Sequence, residues 1–65
     1  MNDLNFNEIL RSGAPIHLIG IGGVSMRALA KMLKNMGANV RGSDRDSSIY
    51  TLQLDEQGIP VAIGH

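Results

Sequence analysis

Apolar positions along this chain fall into short blocks set apart by glycine, and the spacing within the blocks alternates between two kinds. Ile16-His17-Leu18-Ile19 is nearly continuous and is followed at once by Gly20. Such a run, bounded by a turn, suits a parallel strand covered on both faces. From Val24 the period changes. Met26, Leu29, Ala30, Leu33 and Met36 fall on one face of a helix, with Arg27, Lys31 and Lys34 on the opposite, wet face. A helix is predicted over 24–36, closed by Gly37 where a positive φ is commonly required. Asn39-Val40-Arg41-Gly42 reads as a weaker strand ending at Ser43-Asp44. Ser47 or Ser48 then caps a second helix running to about Gln57, its turns marked by Ile49, Leu52 and Glu56, and Gly58 ends it. Ile59 to Ile63 is a third strand, with Pro60 tolerated only near its start or at an edge. Upstream, residues 1–14 are polar with Leu4, Phe6, Ile9 and Leu10 scattered among them. A short turn over Glu8–Arg11 is broken by Ser12-Gly13-Ala14-Pro15.

The order is therefore an N-terminal extension over residues 1–15, then β-α-β-α-β over 16–65. Strands alternating with helices through short connections make a parallel sheet with right-handed crossovers. The predicted fold class is α/β: a Rossmann-like β-α-β-α-β half with a three-stranded parallel sheet, truncated. The chain stops at Gly64-His65 directly after an apolar run, which reads as a fragment. In a complete doubly wound sheet the first strand is internal. Here Ile16–Ile19 is expected to leave an unpaired edge through which the fragment self-associates.

Composition narrows the possibilities by exclusion. At 65 residues the chain forms at most one small domain. Its 43% hydrophobic and 18% charged residues are those of a folded protein. Six basic residues balance six acidic ones, so neither a nucleic-acid footprint nor a polybasic membrane patch is present. The absence of cysteine removes disulfides, thiolate metal sites and a Cys nucleophile. Met1 is followed by Asn2 and Asp3, unlike a secretory leader, and no apolar run approaches a membrane span, so a cytoplasmic chain is expected.

The candidate chemistry lies in Gly20-Ile21-Gly22-Gly23-Val24-Ser25-Met26, between a strand and a helix. That is the context in which glycines serve a phosphate. Gly20 allows the tight turn, Gly22 leaves no Cβ in the way of a pyrophosphate, and Gly23 adds an N–H at the helix N-terminus. Ser25 is small enough for helix–strand packing, and its hydroxyl is a further donor. The plainer reading is a glycine turn serving chain geometry alone. Asp44 follows Gly23 by 21 residues at the end of the second strand, where a carboxylate either accepts from a ribose diol or caps the turn beside Ser43, Asp46, Ser47 and Ser48. His65 ends the third strand at the ligand-binding edge of such sheets and is either a phosphate or sugar donor or an ordinary loop histidine. His17, within the first strand, reads as a satisfied core or face histidine. The methionines at helical spacing read as core. No Walker A pattern, catalytic constellation or metal cluster is evident.

Taken together, Ile16–Met26, Gly42-Ser43-Asp44 and Gly64-His65 resemble the start of the Mur ligase family, specifically its alanine-adding branch. The resemblance covers most of the chain and departs from it at Ser25, where many members carry glycine. It implies that residues 16–65 are the N-terminal part of a UDP-sugar-binding domain, with the ATP-binding and C-terminal domains absent. It further implies an ATP-dependent ligase of peptidoglycan synthesis that joins L-alanine to UDP-N-acetylmuramate. ATP and Mg²⁺ would be held outside this fragment, which would contain no cofactor or metal and be inactive alone. Carried over by position, Gly22, Gly23 and Ser25 would meet the diphosphate, Ser43, Asp44 and His65 would line the rest of the UDP site, and Gly20 belongs to the same UDP-binding set. The alternatives are the related murein tripeptide recycling ligase and an NAD(H)-binding domain of a dehydrogenase or regulatory protein, which shares Gly20, Gly22 and Asp44 alone.

Overall fold

A computed structural model describes residues 6–64. Its elements are α1 (Phe6–Ser12), β1 (Pro15–Ile19), α2 (Val24–Asn35), β2 (Asn39–Asp44), α3 (Ile49–Glu56) and β3 (Val61–Ile63). The three strands form one parallel sheet in the order β1-β2-β3, with Ile16 opposite Val40, Leu18 opposite Gly42 and Gly42 opposite Val61. The α/β class and the parallel three-stranded arrangement are those expected from the sequence.

Both crossover helices pack on one face of the sheet. Ala30 and Leu33 of α2 and Leu54 of α3 join Leu18, Val40, Ile21, Ala38 and Ile59 in a single core, with Met26, Leu29 and Leu10 against its margin. Right-handed crossovers that progress in one direction across a sheet require this. The opposite face carries His17, Ile19, Arg41 and Ala62, all exposed, and Ile19 keeps 69% of its surface in water. Ser43 is buried there and pairs its Oγ with His17 Nε2 at 3.2 Å, so His17 is a satisfied face histidine.

Three expectations change. Met32 and Met36, expected in the core, are both half exposed, Met36 at the residue where the helix closes. In α3 the inward residues are Thr51 and Leu54, while Ile49 and Leu52 face water. The helix is only 8 residues long and weakly amphipathic, so tertiary contact decides its orientation. β3 spans Val61–Ile63, shorter than predicted. Ile59 nonetheless plugs the core from the loop before it.

Gly37 adopts φ +94° and closes α2, with Ala38 N–H donating to Leu33 O at 3.0 Å. Ser48 rather than Ser47 caps α3. Thr51 N–H donates to Ser48 Oγ at 3.2 Å and Ser48 N–H to Thr51 Oγ1 at 2.9 Å, a capping box.

Candidate functional site at the carboxyl ends of the strands

Parallel strands carry their carboxyl ends to one edge of the sheet, and the glycine turn lies there. Gly20 takes φ +73°, turning the chain out of β1 so that Gly20 N–H and Ile21 N–H both donate to Ser43 O, at 2.8 and 3.0 Å. Ile21 then dives into the core with no exposed surface. It fits because residue 42 is glycine: a Cβ there would stand 2.5 Å from Leu18 O and 2.6 Å from Ile21 Cδ1. The sequence reading missed this role of Gly42, although a glycine inside a strand is itself a signal of close approach.

Gly22 is held from both sides. Its N–H donates to Asp44 Oδ2 at 2.8 Å, and its carbonyl accepts from Arg27 Nη1 at 3.0 Å. A Cβ at Gly22 would lie 2.6 Å from that carboxylate oxygen and 3.2 Å from the Thr51 methyl. A side chain at residue 22 would thus displace the Asp44 carboxylate from the turn, before any ligand is considered. Gly23 N–H donates to Gly20 O at 3.1 Å. The N–H of Gly23, expected to face a phosphate, therefore already has an acceptor in Gly20 O, and that of Gly22 has one in the Asp44 carboxylate of β2.

The open donors lie one step further on. Gly23 is the N-cap of α2, with φ −70° and ψ 156°, and contributes no side-chain cap; Arg27 N–H is the first to reach back, to Gly23 O at 2.8 Å. The N–H groups of Val24, Ser25 and Met26 consequently have no acceptor within the helix. They point with the positive end of the helix dipole into the space beside Gly23. The Ser25 side chain is exposed at the same turn. Among the described residues, a Cβ at Gly23 would approach Gly20 O alone, at an ordinary 3.4 Å.

Asp44 braces the turn through Gly22 and lies 3.5 Å, through Oδ1, from Asp46 N. Ser43 is tied to His17 and, through its carbonyl, to the turn. The structure thus brings together Gly20, Gly22, Gly23, Ser25, Ser43 and Asp44. His65 lies outside the described residues. Arg27, placed on the wet face from its spacing, is instead half-buried and stacked on the Tyr50 ring, 3.7 Å from guanidinium carbon to ring centroid. No local pattern announces a contact between residues so far apart in sequence.

Among the described residues no group of three or more His, Asp or Glu is arranged to hold a metal ion, and no helix is long and apolar enough to cross a membrane. Two grooves lie elsewhere: one of about 420 Å³ borders His17, Arg41 and Pro60, and another of about 530 Å³ borders Glu8, Ile9 and Pro15. They lie away from the glycine turn and bring no candidate residues to it.

Compared with known families, residues 15–65 match the Mur ligase family, catalytic domain. Among curated proteins, the chain is 44% identical over 62 residues to the UDP-N-acetylmuramate–L-alanine ligase of Clostridium novyi, covering 95% of this chain and 14% of the relative. It is 60% identical over 48 residues to the enzyme of that name from Caldicellulosiruptor saccharolyticus, covering 74% of this chain and 10% of the relative. Its identity to the one from Rhodospirillum rubrum is 45% over 51 residues, or 78% of this chain and 11% of the relative. The chain thus spans between a tenth and a seventh of the length of these relatives. No solved structure matches it.

Proposed function

Since the chain belongs to the Mur ligase family, we propose that it is the nucleotide-sugar-binding segment of a ligase that joins L-alanine to UDP-N-acetylmuramate in peptidoglycan synthesis. The observation that carries this reading is the uncapped start of α2. Three N–H groups, the dipole of a 12-residue helix and a Cβ-free approach over Gly23 converge at the carboxyl edge of a parallel sheet. That combination is chemically suited to a diphosphate, whose charge such a terminus favours.

In this reading the diphosphate lies on the N–H groups of Val24, Ser25 and Met26, with the Ser25 hydroxyl as a further donor. Gly22 and Gly23 act by leaving room, and Gly20 by setting the turn. Asp44 and Ser43, at the end of β2, are assigned to the nucleoside side of the site, together with His65, which lies outside the described residues. Asp44 has two tasks, bracing Gly22 through one carboxylate oxygen and facing the ligand with the rest of the group.

In this reading ATP and Mg²⁺ are held by parts of the ligase outside this segment, where ATP activates the carboxylate that L-alanine attacks, and no step of the ligation is derived from the described residues. This segment's task is to hold and orient the substrate by its nucleotide end. The alternative, a dinucleotide-binding domain, rests on the same glycines. Equilibrium binding to the full-length protein separates the two: UDP-N-acetylmuramate binding at least tenfold more tightly than NAD supports the ligase reading, and the reverse order overturns it.

A further inference from the structure

Three elements meet at Gly22. β2 supplies Asp44 to its N–H, α2 supplies Arg27 to its carbonyl, and α3 supplies the Thr51 methyl, which a Cβ at Gly22 would approach to 3.2 Å, and the Tyr50 ring against Arg27. Tyr50 and Thr51 are adjacent in the first turn of α3, whose start is fixed by the Ser48–Thr51 capping box. The guanidinium is therefore held in two ways, by its hydrogen bond to the loop and by the ring face over which its carbon lies, 3.7 Å from the centroid. With the Gly22 carbonyl turned toward Arg27 and Gly23 N–H turned toward Gly20 O, the peptide between residues 22 and 23 has one orientation. That peptide is the floor over which an anion reaches the start of α2.

We infer that Arg27 is a positioning residue for the nucleotide-sugar diphosphate: stacked on Tyr50, it fixes the Gly22–Gly23 peptide so that the seat at the start of α2 exists before the ligand arrives. The inference rests on the reading of that seat given above. Without Arg27 the Gly22 carbonyl is free to rotate toward the anion, and α3 loses its tie to the loop. Part of the binding free energy then goes into re-forming the seat. The effect falls on binding of the nucleotide sugar and not on the ATP half of the reaction.

The test is made in the full-length ligase with Arg27→Met, Tyr50→Leu, Tyr50→Phe and the Arg27→Met/Tyr50→Leu pair, beside Gly23→Ser as a direct obstruction of the seat. Arg27→Met is expected to raise KM for UDP-N-acetylmuramate about tenfold, and Tyr50→Leu about fivefold, with KM for ATP and kcat within about twofold of the parent, the pattern of lost uniform binding. Tyr50→Phe keeps the ring and should behave as the parent. The double variant should be no worse than Arg27→Met, because both changes break one arrangement. Strictly additive losses, or an unchanged KM in Arg27→Met while Gly23→Ser raises it, overturn the positioning role and leave the diphosphate seat standing. An unchanged KM in both Arg27→Met and Gly23→Ser overturns the seat and the inference together. If Arg27→Met is not obtained folded, Arg27→Lys decides. Lysine keeps the charge but not the flat fork, so a rise of about threefold supports the role and an unchanged KM refutes it.

Discussion

Substituting Gly23 by serine separates what the start of α2 does for the fold from what it does for a ligand, because the two effects carry opposite signs. The backbone at Gly23, φ −70° and ψ 156°, is already that of an N-cap, and a Cβ there meets nothing nearer than Gly20 O at 3.4 Å. Serine therefore fits without strain, and its hydroxyl oxygen accepts from the N–H of Ser25 or Met26. Glycine is the weaker cap by a few tenths of a kcal/mol. The folded chain should accordingly gain about that much, or roughly 1–3 °C in melting temperature for a domain this small. The same hydroxyl occupies a donor that the diphosphate would use, and its oxygen faces the phosphate oxygens. A hydrogen bond to a charged group contributes about 1.5–3 kcal/mol, so the affinity for UDP-N-acetylmuramate should fall by about tenfold or more. Circular dichroism melts of the 65-residue chain carrying Ile19→Lys, which keeps its open edge from associating, read the first effect, and KM for the nucleotide sugar in the full-length ligase reads the second. Greater stability with an unchanged KM would refute the assignment of the diphosphate to this helix terminus. Lower stability would refute the account of the cap.

Two further outcomes follow from the packing. Gly42→Ala places a methyl group 2.5 Å from Leu18 O and 2.6 Å from Ile21 Cδ1. Thermal or urea unfolding should show a loss of about 1–3 kcal/mol, with KM for the nucleotide sugar of whatever enzyme remains folded little changed. The 65-residue chain on its own should self-associate, since β1 is an outer strand of the sheet and Ile19 lies 69% exposed on the uncovered face. Light scattering from micromolar concentration upward should show dimers or larger species, Ile19→Lys should reduce them, and a monomer throughout that range would count against the open edge.

What the sequence made legible was local. The order of elements, the closing of α2 at Gly37 and a serine cap on α3 all follow from patterns a few residues long. What it concealed were contacts between distant segments. Asp44 stands at the expected end of β2, yet its acceptance of Gly22 N–H depends on β1 and β2 lying side by side in one register. Arg27 follows the polar spacing of α2, yet Tyr50 draws it inward from another helix. In α3 the apolar residues Ile49 and Leu52 suggested the wrong face, because in so short a helix the Thr51 methyl and Leu54, meeting the loop and the core, outweigh its own weak periodicity. The glycine turn shows the same division. Its place between strand and helix was readable, whereas the capture of its N–H groups by Ser43, Asp44 and Gly20 was not.

The central claim, that the start of α2 receives the diphosphate of a nucleotide sugar, is tested most directly by following backbone N–H resonances of isotopically labelled protein during titration with UDP-N-acetylmuramate and, separately, NAD. The largest shifts on adding UDP-N-acetylmuramate should fall on Val24, Ser25 and Met26, with smaller ones at Gly22, Gly23 and Asp44, and should saturate at lower concentration than any produced by NAD. Shifts that bypass Val24–Met26, or a stronger response to NAD, would contradict the account.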